Sequence, residues 1–395
     1  MRYPSLISFV LIVASFVGTA GRGLSAAEIA VTAPTKSSWP SFRNGNLQQG
    51  VAGSELPEKL ELLWKIDVPD GVVATVAIVG DYVYLPALNG HLICLNRKDG
   101  TEVWRYRSIE SDDPDEFAPG FRAAPRVTEK KVYVGDEDGK LHAVDRVTGK
   151  KVWTFTTDDE ISGCVALYKD KVIVGSYDSS LYCLDAETGE KAWSFETGDR
   201  INGSPGLVEN FTFVAGCDFH LRVIDVEAGN QKSDISLETY LIASPALWDD
   251  FLYVGTQAGE VVAVNWKTES ILWRYKSPAR QMPIHASAAV TENCVYVGGH
   301  DKLLHAIDRS NGEGLWTFPT RAGIESSPVV VGNRIFFGSR DRNLYGVSTA
   351  TGKEVFKVNL EKSIIAGPAV GEGCLVVGTE GSQGALYCFG SKVAE

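Results

Sequence analysis

Between Trp64 and the C-terminus, apolar residues fall in runs of four to seven, rich in Val, Ile, Tyr and Phe. Gly, Asp, Asn and Thr-Gly turns separate them, which is the signature of short strands. No stretch beyond the first residues keeps a helical period. The runs repeat. One copy reads Ile161-Ser-Gly-Cys-Val-Ala, then Val172-Ile-Val-Gly-Ser-Tyr-Asp, then Leu181-Tyr-Cys-Leu-Asp-Ala-Glu-Thr-Gly-Glu-Lys-Ala-Trp193. Aligned on the closing aromatic, the copies end at Trp64, Trp104, Trp153, Trp193, Ser233, Trp273, Trp316 and Phe356, in steps of 40, 49, 40, 40, 40, 43 and 40 residues. Each unit predicts four strands, and such units at this spacing predict an all-β, eight-bladed β-propeller of four-stranded antiparallel blades.

Seven units are complete, and an eighth has three strands, around residues 368–370, 375–377 and 386–389. The missing strand stands at the other end, in residues 60–66, so this N-terminal strand is expected to complete the last blade. An open ring would leave an unpaired edge. The expected layout is a leader at 1–27, an N-terminal extension at 28–58 and one propeller at 59–390. The Asp-x-x-Thr-Gly turns suit Asp145 and Asp185 as acceptors for turn amides, with Gly149 and Gly189 supplying positive φ. Ser233 and Phe356 in place of Trp, and Glu269 in place of the turn Gly, read as worn copies.

The chain opens with Met1-Arg2, an apolar run over residues 6–17, and small residues to Ala26-Ala27. That is the pattern of a secretory signal peptide cleaved after Ala26 or Ala27, and it predicts a periplasmic or secreted protein. The first Cys is Cys94, so no lipobox is present, and no later stretch is long enough to span a bilayer. With 38 Lys and Arg against 50 Asp and Glu, the net charge is −12, which disfavours nucleic acid as a partner. Acidic residues concentrate in Glu110-Ser-Asp-Asp-Pro-Asp-Glu116, within an insertion at 108–119 that accounts for the 49-residue step. Cys94, Cys183 and Cys388 share one repeat position with Ala143, Ala263 and Ala306, which marks them as small buried hydrophobes. Neither the Cys nor the His spacing is that of a metal site.

The repeat Val-Tyr-Val-Gly-x-x-Asp-Gly-x-Leu-x-Ala-Val-Asp-x-x-Thr-Gly-x-x-x-Trp, best kept at 132–153, 172–193 and 295–316, resembles that of the pyrroloquinoline-quinone (PQQ)-like eight-bladed propellers. Trp39-Pro-Ser-Phe-Arg43-Asn-Gly45 resembles the element that opens many bacterial members. The family holds quinoprotein dehydrogenases, whose PQQ and calcium sit over the axis, and the outer-membrane β-barrel assembly propeller (BamB-like), which binds proteins. This chain has no vicinal Cys-Cys, so no catalytic residue carries over from the first branch. Its size matches the second.

In a propeller the loops leading into each blade share one face with the turns between second and third strands. That places Val73, Arg122, Ser162, Asn202, Ile242, His285, Glu325 and Ile365 around the axis. Glu137, Tyr177, Cys217, Gln257, His300, Arg340 and Glu380 follow at the turns. Arg122, Tyr177, Asn202, His285, His300, Glu325 and Arg340 are the candidate ligand- or partner-binding residues, and the charged ones suit an anion; a solvated rim is the alternative. His142 and His305 are expected to be structural. The leading expectation is a monomeric, non-catalytic exported scaffold with a protein partner in the envelope and no cofactor. The alternatives are a PQQ-dependent oxidoreductase with calcium, and a small-ligand or glycan binder at the mouth.

Overall fold

The computed structural model describes residues 32–392 apart from Asp112 and Pro114; the expected leader lies outside these residues. Thirty-two strands form eight four-stranded antiparallel sheets. Blades one to seven span residues 77–107, 126–156, 166–196, 206–236, 246–276, 289–319 and 329–359, innermost strand first. Blade eight joins Ala369–Gly371, Cys374–Gly378 and Glu380–Gly390 to the N-terminal strand Glu61–Gly71, with Trp64 opposite Cys388. The ring closes as expected, with a strand reaching five residues further than the sequence pattern, to Gly71. Second and third strands are buried on both faces, whereas outer strands alternate. This explains why the middle of each repeat reads as continuous Val, Ile and Leu. No helix among the described residues is long and apolar enough to cross a membrane.

Adjacent blades interlock through the repeat's two most regular residues. Trp153 of blade two donates its indole N–H to the Ala186 carbonyl of blade three at 3.3 Å. Its ring lies where a Cβ on Gly189 would stand, 2.6 Å away. The same pairing joins Trp64 to Gly100, Trp104 to Gly149, Trp193 to Gly229, Trp273 to Gly312 and Trp316 to Gly352. The turn glycines are therefore required twice, for positive φ and for room under the preceding Trp. Where the Trp is lost, at Ser233, the partner glycine is lost too: Glu269 stands there at φ 55°. Trp266 fills the gap from blade five. It packs edge-on against Phe213 of blade four at 5.2 Å and is buried. The two irregularities that read as independent wear are one compensated exchange.

Residues 37–50 run around the inner strands and bond to every blade. Trp39 exchanges backbone hydrogen bonds with Ile78, at 2.7 and 2.8 Å. The carbonyls of Pro40, Asn46, Leu47, Gln49 and Gly50 then accept from Val127, Leu207, Leu247, Val290 and Val330. Asn46 also donates its side-chain amide to the Leu167 carbonyl, and Glu372 donates to Ser37. An inner strand has no neighbour on its axial side, so this segment supplies the missing partners. Its tight course needs left-handed backbone at Arg43, Asn44, Gln48 and Gly50. Arg43 is buried on the axis and donates to the Pro328 and Ala288 carbonyls at 2.6 and 2.7 Å. Burial pushes its guanidinium down to about 9.

Candidate functional site

All eight residues placed around the axis from the sequence line one small cavity, of about 190 Å³, at the mouth. They share a height because each stands at the same point of a forty-residue repeat. Below them lies a second ring that includes Ser204, Ser244, Ser287 and Ser327, and Phe42 of the N-terminal segment lines the same cavity. The serines form a relay along an arc from blade three to blade seven. The amides of Cys164, Ser204, Ser244 and Ser287 each donate to the hydroxyl of the next blade's serine, at 2.8 to 3.0 Å. The Ser before Pro at Ser204, Ser244 and Ser327 is the mark this row leaves in the sequence.

The candidate residues mostly pair within a blade at a separation of fifteen. Arg122 donates to Glu137 at 2.6 Å, and Asn202 donates to the Cys217 sulfur at 2.8 Å. Arg340 forks onto both Glu325 oxygens, at 2.6 and 2.9 Å, and reaches Glu380 at 3.1 Å. His285 and His300 meet edge to face with centroids 4.4 Å apart. His300 Nε2 lies 3.2 Å from Glu325, while His285 bonds Gln257 at 2.8 Å. Tyr177 lies under the Arg200 guanidinium, 5.4 Å from its ring centre. The structure thus brings His285, His300, Glu325 and Arg340 into one cluster, with Arg122, Tyr177 and Asn202 elsewhere on the rim. Arg340 already forks onto Glu325 and Arg122 bonds Glu137 through Nε, so an incoming anion competes with both carboxylates.

The rim's titration follows from these contacts. Burial would raise Glu325, but the Arg340 hydrogen bonds and charge, with the two histidines, bring it below the usual carboxylate range. Its contribution to stability is therefore present above the unfolded carboxylate range and lost as pH falls through the folded value. Burial, then the neighbouring His300, lower His285 against the opposing pull of Glu325. An unfolded imidazole takes up its proton first, so His285 also costs stability as pH falls through about 6.5. Arg340→Ala is expected to raise the Glu325 titration midpoint, read by carbon-detected NMR. An unmoved midpoint would show that the fork does not hold the carboxylate in solution.

His142 and His305 are buried structural clamps. His142 joins Tyr106 of blade one at 2.9 Å to Asp136 at 2.8 Å. His305 joins Tyr275 of blade five at 3.0 Å to Asp301 at 3.1 Å. Cys94, Cys183 and Cys388 are buried in the blades. Among the described residues, no group of three or more His, Cys, Asp or Glu side chains is placed to hold a metal ion.

A family model described as outer membrane protein assembly factor BamB matches residues 57–160, 137–302 and 300–389. An outer membrane protein assembly factor BamB of Marinobacter adhaerens is 37% identical over 83 residues, which are 21% of this chain and 19% of that protein. Quinohemoprotein alcohol dehydrogenase ADH IIB of Pseudomonas putida is 33% identical over 116 residues, 27% of this chain and 16% of that protein. The matched stretch is therefore less than a fifth of either relative. Among solved structures, BamB from Moraxella catarrhalis superposes with a TM-score of 0.70 at 18% identity, covering 85% of this chain and 99% of that one. The quinohemoprotein alcohol dehydrogenase of Comamonas testosteroni gives 0.75 at 16% identity, covering 91% and 82%. These superpositions establish a shared fold.

Proposed function

Since the chain belongs to the PQQ-like propeller family described as outer membrane protein assembly factor BamB, we infer that it is an exported, non-catalytic scaffold. Its mouth face binds a protein partner in the cell envelope. The observation that carries this reading is the state of the axis. The cavity, at about 190 Å³, has Phe42 in its lining, and it is smaller than the roughly 300–1,000 Å³ of sites that enclose a ligand. A tricyclic quinone does not fit there as the residues stand, since the chain's own segment closes the channel and the rim arginines are engaged by Glu137 and Glu325. A broad rim of paired charges suits docking of a protein surface, where complementary charge steers and orients the partner.

A photo-crosslinking residue at Tyr177 or Arg122 is expected to trap one defined envelope protein in cells. A smear without a discrete adduct would overturn the scaffold reading. The quinohemoprotein relatives favour a second reading, a PQQ-dependent oxidoreductase. Titrating PQQ and calcium while following tryptophan fluorescence and dye reduction decides it. The expected response is flat, and saturable binding with turnover would replace the scaffold by the enzyme.

A further inference from the structure

The longest insertion in the ring, at 108–119, borders two open clefts outside the axis. Arg107 holds it down, donating to the carbonyls of Ser111, Asp113 and Glu116 at 2.5 to 2.6 Å. On the side facing blade two this leaves a cleft of about 620 Å³, lined by Arg105, Arg107, Lys140, Lys150 and Lys151, with Glu110 as its single acid. In a chain of net charge −12, such a lining is a strong local reversal of sign.

The charges are only partly met. Arg105 pairs with Glu102 at 2.6 Å, and Lys151 pairs with Glu110. Arg107 spends its donors on carbonyls, which satisfy hydrogen bonds without cancelling charge. Among the described residues, Lys140 and Lys150 take part in no ion pair, so three cations face the cleft without a carboxylate. A lining in which cations outnumber acids concentrates counter-ions, against the opposing charge of the acidic insertion at its edge. Glu110, carried by the insertion, already occupies one cationic position from within the chain.

We propose that this cleft between blades one and two is a binding site for a compact polyanion bearing phosphate groups. Glu110 competes with that ligand for Lys151. The site is separate from the mouth and does not rest on the scaffold reading. Two or more charges on one small ligand match cations spread along the cleft walls, and charge-assisted bonds to phosphate oxygens are the strongest contacts these side chains make. The net charge of −12 disfavours a nucleic-acid backbone as that ligand.

Calorimetric titration of the mature chain with inorganic pyrophosphate at low salt tests this. One saturable event is expected, weakened about tenfold or more by Lys140→Gln with Lys150→Gln, and weakened again by added salt. Glu110→Gln should tighten binding several-fold, and Lys357→Gln on blade seven should leave it unchanged. Absence of saturable heat, or binding indifferent to the Lys140 and Lys150 substitutions, would overturn the proposal. Co-sedimentation with phosphatidylglycerol vesicles identifies the source. Retention that depends on Lys140 and Lys150 assigns the phosphate to a lipid headgroup. Pyrophosphate binding without retention assigns it to a soluble ligand.

Discussion

Gly189→Ala is expected to destabilise the propeller by ~2–4 kcal/mol, far more than an ordinary surface turn substitution. Two costs combine. The residue sits at φ 77°, where an Ala costs about 1 kcal/mol relative to Gly. Its new Cβ would also stand 2.6 Å from the Trp153 ring, and overpacking of that kind costs roughly 1–3 kcal/mol. The control lies within the same ring. Glu269 occupies the equivalent turn, but blade four presents Ser233 there, so Glu269→Ala meets no indole and should change stability by less than about 0.5 kcal/mol. A double-mutant cycle isolates the contact. Trp153→Ala alone removes a large buried ring at a cost of ~3–5 kcal/mol. In its background Gly189→Ala should retain only the backbone cost, giving a coupling of ~1–3 kcal/mol. A loss of only about 1 kcal/mol from Gly189→Ala in urea unfolding, with no coupling to Trp153→Ala in the cycle, would show that backbone conformation alone, and not the indole, demands the glycine.

That contrast also shows what a repeat makes legible. Eight copies of a four-strand pattern were enough to derive the blades, the closing N-terminal strand and the ring of axial residues, because a rigid repeat carries equal positions to equal heights. The same regularity concealed exceptions. Ser233 and Glu269 are 36 residues apart and belong to different units, so their dependence appears only when blade four is seen packed on blade five. Trp266 gave no warning, since its position is held elsewhere by residues such as Ala186 and Thr349 whose carbonyls, not side chains, meet the indole. At the mouth, the opposite charges of Arg122 and Glu137, and of Glu325 and Arg340, were visible at matching separations. That they neutralise each other, instead of facing an incoming anion, depends on rotamers no pattern specifies. The course of residues 37–50 was least legible of all. It repeats nothing, has almost no regular structure, and makes sense only against eight inner strands that must already be in place.

Excising residues 32–52 is accordingly expected to destabilise the protein by on the order of 5 kcal/mol or more, although it removes no strand of any blade. The segment buries Trp39 completely, and loss of a buried Trp costs ~3–5 kcal/mol. Its carbonyls also accept from the inner-strand amides of Ile78, Val127, Leu207, Leu247, Val290 and Val330. Each such bond contributes roughly 0.5–1.5 kcal/mol, an amount that water entering the opened channel partly restores. Against these losses stands the release of Arg43, whose burial without a carboxylate partner is unfavourable. The balance still favours the intact segment, because Trp39 and the amides act at six blades whereas Arg43 acts at two. Native-state hydrogen exchange makes the claim specific. In the excised variant the amides of Val127, Leu207, Leu247, Val290 and Val330 should lose protection, while the middle-strand amides of Val174 and Val254 keep theirs relative to the lowered global stability. Uniform loss across all strands would mean that the segment only adds to overall stability. Retained protection at the inner amides would mean that the blades satisfy those groups without it. The expected pattern identifies residues 37–50 as the closure of the axis, which is also what sets the depth of the mouth.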